Sequence, residues 1–157
     1  MQINSFVTPD GTHTVLSNFY QSVFVAPHFS LDGLTPVEWK SVEHYYQAAK
    51  ACNVTDAERI RSADTPGEAK RRGRKVPLRD DWESVKIPVM RNALALKFTP
   101  DTQEAAYLRS TEDFVLAEGN DWGDIFWGVA GGFGQNWLGY LLMAQRGYLI
   151  ALFRETI

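Results

Sequence analysis

The stretch Ser41-Val42-Glu43-His44-Tyr45-Tyr46-Gln47-Ala48-Ala49-Lys50 decides how this chain reads. Val42, Tyr45, Tyr46 and Ala49 fall at i, i+3, i+4 and i+7, an apolar stripe that a helix turns toward a core. Glu43, Gln47 and Lys50 fall at i, i+4 and i+7, which puts a carboxylate, an amide and an amine on a second shared face. Such a trio can do acid–base work and hold a polar ligand. A solvated, ion-paired helix face has the same spacing, so position alone leaves both readings open. His44 reads as a packed or hydrogen-bonded histidine rather than a metal ligand.

Working outward, the helical pattern is expected from about Val37. The residues before it are rich in turns, with a short strand over Phe19 to Ala26 and a hairpin turn at Asp32-Gly33. Thr55 with Glu58 has the capping-box form and opens a short helix; Thr65-Pro66-Gly67-Glu68 repeats it with proline at the first helical position. Lys70, Arg71, Arg74 and Lys75 share a face of that second helix. Asp80, with Glu83 as its partner, caps a long helix toward Phe98, buried through Trp82, Val85, Val89, Ala93 and Leu96 and kinked or split at Pro88. Thr99-Pro100 starts another helix to about Arg109, and Phe114 to Ala117 suits a strand. The last helix is expected from Asn136 to Arg146, stopped by Gly147, with Tyr148 to Phe153 packing after it. The balance is mainly α with minor β: one compact domain over 1–157, with short N-terminal strands and a Gly/Trp-rich loop.

The 157 residues are 45% hydrophobic and 22% charged, enough for one self-sufficient core. A single cysteine, Cys52, excludes an internal disulfide and reads as a small core residue. The longest purely apolar run, Tyr148 to Phe153, falls well short of the ~20 residues that span a bilayer. No Lys or Arg precedes Lys40 and no apolar leader follows the first residue, so no signal peptide, no membrane partner and a cytoplasmic location are expected. Three histidines, no cysteine pair and no HExxH make a metal site unexpected, and no cofactor is implied.

The net charge of −3 conceals an asymmetry. Residues 59–79 hold Arg59, Arg61, Lys70, Arg71, Arg72, Arg74, Lys75 and Arg79 against Asp64 and Glu68, a local excess of +6. A localised anion site fits that strip, as does a solvated helix face. The span Gly119 to Gly139 holds seven of the twelve glycines and three of the five tryptophans, Trp122, Trp127 and Trp137. Glycines let a backbone approach a ligand closely and tryptophans offer faces for a base to stack on. An irregular loop packed by its own aromatics is the alternative. No Gly-Lys-Ser/Thr follows, and Trp137 stands where a dinucleotide fingerprint needs its third glycine.

These segments, taken in order, resemble the signatures of the NADAR (YbiA-like) family. Ser17-Asn18-Phe19 resembles the first and the Ser41–Lys50 stretch the second. Thr65-Pro66 with Glu68-Ala69-Lys70 and Gly73-Arg74 resembles the third; Leu78-Arg79 with Trp82 to Lys86 and Val89-Met90 resembles the fourth. Asp124-Ile125-Phe126-Trp127-Gly128, then Gly134-Gln135-Asn136-Trp137-Leu138-Gly139, is similar to the last. Pro88 inside the fourth signature and Trp137, where a smaller or polar residue is expected, depart from the pattern.

The resemblance implies a compact, mainly helical fold and hydrolysis of N-glycosides of phosphate-bearing ribose. One implied activity removes ADP-ribose from modified guanine in a nucleotide or DNA, as repair or as antidote to a DNA ADP-ribosyltransferase toxin. The other cleaves ribosylaminopyrimidine phosphates, early intermediates of riboflavin biosynthesis. A non-catalytic ADP-ribose or NAD binding module is a third reading. The site implied places Lys50 as covalent nucleophile and Glu43 as acid/base, with direct water attack assisted by Glu43 or Asp124 as the rival route. Arg71 and Arg74 would take phosphates, and Trp127, beside Gly128, would wall the pocket or stack on the base. Asp124 would hold ribose hydroxyls or activate water, and Asn18 and Asn136 would orient the substrate, with Phe19, Tyr46 and Gln47 completing the binding residues.

Overall fold

Ser41 starts the helix that the quoted stretch predicts: its hydroxyl accepts the His44 N–H at 3.3 Å and also bonds His44 Nδ1 at 2.8 Å. The helix that follows, α1 (Val42–Ala49), has all eight of its residues buried. The computed structural model describes residues 1–6, 10–28 and 35–155. In chain order its elements are β1 (Gln2–Ile3), a 3₁₀ turn (Thr14–Leu16), β2 (Phe24–Pro27), β3 (Pro36–Trp39), α1, α2 (Val54–Arg61), α3 (Pro66–Gly73) and α4 (Trp82–Lys97). Then come α5 (Gln103–Ser110), β4 (Val115–Leu116), β5 (Gly119–Asn120), β6 (Val129–Ala130) and α6 (Trp137–Glu155). The class is mainly α with minor β, as expected. Among the described residues no helix is long and apolar enough to cross a membrane.

Contacts gather the chain into two compact units: Asn18–Lys97, and Met1–Ser17 together with the chain from Phe98 onward. In the unit Asn18–Lys97, α1 packs against α2, α3 and α4, and β2 pairs antiparallel with β3, Phe24 opposite Trp39. Strand β2 begins five residues later than Phe19, and Val37 to Trp39, expected as the start of the helix, is strand. The pairing explains this: the alternation of buried Phe24 and Ala26 with exposed Val25 is a period-two pattern, and Trp39 Nε1 donates back to the Ala26 carbonyl at 3.2 Å. The Asp32-Gly33 turn lies outside the described residues.

Thr65 caps α3 as expected, accepting the Glu68 N–H at 3.1 Å. The cap of α2 is Asn53 rather than Thr55; its Oδ1 accepts the Asp56 N–H at 2.9 Å. Helix α4 opens on the Asp81 carbonyl, one residue past Asp80, and Glu83 pairs with Lys86 at 2.5 Å instead of closing a cap. Pro88 does not split α4: it sits on the exposed side of an unbroken helix. The buried face is accordingly Trp82, Val89, Met90, Ala93, Leu94 and Lys97. Cys52, expected in the core, is exposed.

In the other unit β1 runs parallel to β4, Ile3 beside Leu116, and α6 packs on α5 and β4. Helix α5 starts at Gln103, capped by Thr102, later than Thr99-Pro100 suggested. Helix α6 runs straight through Gly147 to Glu155. Buried Leu138, Leu142, Arg146 and Leu149 continue the helical period on both sides of that glycine, and the packing outweighs a glycine penalty of about 1 kcal/mol. Arg146 is itself buried and ties the turn before β4, donating to Thr111 Oγ1 at 2.8 Å and to the Phe114 carbonyl at 2.9 Å.

Candidate active site

The polar face of α1 is not a solvated one. Glu43 and Gln47 are 5% and 3% exposed, and Gln47 Nε2 donates to Glu43 Oε1 at 2.7 Å. Burial pushes the Glu43 carboxyl above its ordinary value; the Gln47 bond and the positive charges of Lys70, Lys50 and Arg74 pull the other way. Lys50 ends the helix, its ammonium 5.3 Å from the centre of the Tyr46 ring and 6.0 Å from that of Trp82. Burial lowers the Lys50 amine below the usual lysine range; Glu43 opposes the shift, and Lys70 and Arg74 add to it. An acid held toward its protonated form and an amine held toward its free-base form thus occupy one helix, with two further cations close enough to act on both.

His44, between them in sequence, is structural. Its Nδ1 meets Ser41 Oγ and its Nε2 the Ala63 carbonyl at 3.1 Å, so the ring joins α1 to the segment after α2. Burial lowers its basicity and so favours the neutral ring, which can donate from Nε2 to the Ala63 carbonyl and accept the Ser41 hydroxyl at Nδ1.

Three segments hold α1 from outside. The Asn18 carbonyl accepts the Glu43 N–H at 3.1 Å, fixing the first turn. Asn18 Nδ2 reaches Met90 Sδ at 3.6 Å, while its buried Oδ1 has no hydrogen-bond partner among the described residues. Helix α3 lies against the middle of α1 and brings Lys70 and Arg74. Lys70 Nζ also sits 5.4 Å from the ring centre of half-exposed Phe19. At the far end the Lys50 carbonyl accepts the Arg79 N–H at 2.9 Å, and Trp82 packs its ring 5.1 Å from that of Tyr46.

The basic strip divides on folding. Arg61, Arg72 and Arg79 pair with Glu58, Glu68 and Asp81 at 2.7, 2.5 and 2.5 Å. Arg71 is exposed, 4.0 Å from Glu68, and is not among the charges that act on Glu43 and Lys50. Lys70 takes that place beside Arg74.

Asp124, Trp127, Gly128 and Asn136 belong to the other unit, where they build one loop. Asp124 Oδ1 accepts the Phe126 and Trp127 N–H groups at 3.1 and 2.9 Å, and Asn120 clasps the Asp124 backbone through both ends of its amide. Trp127 stands edge-on to Phe126, ring centres 5.0 Å apart. Asn136, at φ 52°, engages both ends of its amide with backbone, accepting from Glu118 N at 3.1 Å and donating to the Leu116 carbonyl at 2.8 Å. Gly128 lies closer to the Glu118 carbonyl than any Cβ would permit. The close approach that this glycine allows is therefore to the loop's own backbone.

The NADAR domain family model matches residues 5–150 of this chain. The chain belongs to the NADAR family. It is 43% identical over 131 residues to the N-glycosidase YbiA of Escherichia coli (strain K12), covering 82% of this chain and 79% of that protein. It is 36% identical over 144 residues to a riboflavin biosynthesis protein of Vibrio vulnificus (strain YJ016), covering 90% of this chain and 37% of that one. It is also similar to the solution NMR structure of E. coli YbiA, with a TM-score of 0.78 and 37% identity over 99% of this chain and 87% of the other.

The NADAR signatures of the unit Asn18–Lys97 thus meet on a single helix. The second signature is α1, the first pins its start, the third lies along it and the fourth pins its end. Reading the sequence did not single out Lys70, Gly73 or Trp82 as site residues. Lys70 had a signal in its i, i+4 spacing to Arg74 and its place in the third signature; Trp82 had a core signal and its place in the fourth, and Gly73 only its place in the third.

Proposed function

We propose that this chain is an N-glycoside hydrolase that removes ADP-ribose from ADP-ribosylated guanine in nucleic acid, as a repair or antitoxin activity opposed to a DNA ADP-ribosyltransferase toxin. The observation that carries the reaction class is the pair Glu43 and Lys50, one raised and the other lowered in proton affinity on the same helix. The name of the E. coli relative, N-glycosidase YbiA, supports the same class. Arg74 and Lys70 supply the charge that a diphosphate calls for, with Arg74 suited to bidentate contact. The buried Asn18 Oδ1 supplies an acceptor for a sugar hydroxyl.

Cleavage requires a proton on the leaving nitrogen and a new bond to C1 of the ribose. Protonated Glu43 gives its proton to the ring oxygen as the C1–O bond breaks, which leaves C1 doubly bonded to the base nitrogen; the neutral Lys50 amine then adds to C1 and that double bond becomes single. Glu43 carries the proton lost by Nζ to the base nitrogen, the C1–N bond to the base breaks, and C1 is left as a Schiff base with Lys50. Water then adds to C1, the C1–Nζ bond breaks, and the free sugar recloses while Lys50 regains its amine. Direct attack by water, with Glu43 or Asp124 as base, is the rival route and does not need Lys50.

A second reading, favoured by the naming of the Vibrio vulnificus relative, is cleavage of ribosylaminopyrimidine phosphates. The bond broken and the phosphate gripped are of the same kind. The test is release of ADP-ribose from a guanine-ADP-ribosylated DNA oligonucleotide, beside Glu43→Ala and Lys50→Ala. Release by the wild type that both variants lose is the expected result. Release confined to the pyrimidine phosphates would transfer the assignment to the second reading, and release from neither would overturn both.

A further inference from the structure

Gly73 is the last residue of α3 and is buried where α3 meets α1. A Cβ built there would collide with Gln47 Oε1, and would lie 3.0 Å from Gln47 Cβ and 3.1 Å from Gln47 Cδ. Gln47 Oε1 is buried without a hydrogen-bond partner among the described residues, so no bond from them holds that end of the amide. What holds it is the backbone surface of Gly73 on one side and, through Nε2, the 2.7 Å bond to Glu43 on the other.

We propose that Gly73 is a positioning residue for Glu43: the missing side chain at Gly73 seats the Gln47 amide so that its N–H faces the Glu43 carboxylate. The inference rests on the reading of Glu43 as the acid/base of the site. A methyl group at position 73 drives into the amide and swings Nε2 away from Glu43. The closest approach involves the amide end of a side chain, not backbone, so the structure can yield there, and what it gives up is the orientation of that amide. The direction of the consequence follows. The Gln47 bond is the first of the interactions that favour ionised Glu43 against burial, and losing it raises the affinity of the carboxyl for its proton still further.

The test is a 13C-detected pH titration of the Glu43 carboxyl in the wild type, Gly73→Ala, Gln47→Ala and the double variant, with no substrate present. It therefore reports on Gly73 even if the hydrolase reading fails, and the oligonucleotide assay above reports on the hydrolase whatever Gly73 does. The expected result is a titration midpoint shifted upward in Gly73→Ala and in Gln47→Ala, with the double variant matching Gln47→Ala because the group Gly73 acts through is gone. An unchanged midpoint in Gly73→Ala, or a double variant displaced beyond Gln47→Ala, would overturn the proposal. Should Gly73→Ala fail to fold, the double variant decides: folding with the Gln47→Ala midpoint supports the seat, and failure to fold shows a packing role independent of Gln47.

Discussion

Gln47 donates its side-chain N–H to Glu43 Oε1 at 2.7 Å, one helical turn apart on a face that neither residue shares with solvent. A carboxyl in that position binds its proton more tightly in the folded chain than in the unfolded one. Over the window between its ordinary and its raised value, the folded state therefore holds more protons, and stability falls as pH rises. Thermal unfolding across that window should show Glu43→Gln gaining on the wild type as pH increases. A constant difference would mean that Glu43 titrates normally.

Glu43→Gln should also lose activity by roughly 10²- to 10⁴-fold, the usual contribution of a general acid or base. The measurement is kcat/KM on the ADP-ribosylated oligonucleotide. A variant within a few fold of the wild type would remove Glu43 from the chemistry.

Lys50 should form a covalent adduct. Borohydride added during turnover is expected to trap ADP-ribose on Lys50, read by mass spectrometry, and Lys50→Arg should show neither adduct nor activity because a guanidinium does not form a Schiff base. The depressed basicity of Lys50 means that its free amine appears below the ordinary lysine range. The rise of kcat/KM with pH should level off there, and a rate still climbing at about pH 10 would contradict the assignment.

Arg74→Ala should act on binding. Losing a charge-assisted hydrogen bond to phosphate predicts a KM roughly tenfold higher or more, with kcat little changed. Steady-state kinetics separates the two; an unchanged KM with a lost kcat would place Arg74 elsewhere.

Two scaffold substitutions test the other unit. Gly147 sits in mid-helix with open space where its Cβ would go, so Gly147→Ala should stabilise by about 0.5–1 kcal/mol and raise the Tm by a few degrees. Arg146→Met leaves the Thr111 hydroxyl and the Phe114 carbonyl without their donor and should cost about 1–3 kcal/mol, lowering the Tm by several degrees.

Elements whose signals are local were legible in the chain. The cap at Thr65 with proline behind it needs only its own turn, and the stripe of α1 needs only its own period. Where two local signals competed, the neighbours chose. Asn53 and Thr55 are both cap-forming residues, and the helix took the earlier one. Val37 to Trp39 continues smoothly into α1 by composition, and only pairing with β2 makes it a strand. Gly147 is a stop signal taken alone, overridden by the buried residues on either side of it.

The candidate site divides in the same way. The sequence alone puts Glu43, Gln47 and Lys50 on one face, because helical spacing is a property of the chain. It could not determine whether that face meets water, since a solvated ion-paired helix has the same spacing. Burial decided that, and burial comes from α3 and the Asn18 and Arg79 segments, distant in sequence, closing around α1. The tertiary structure also sorted the basic strip, pairing Arg61, Arg72 and Arg79 with neighbouring carboxylates while placing Lys70 and Arg74 beside the acid and the amine. Charge is written in the sequence; the dielectric around it and the distance to its partners exist only once the chain has folded.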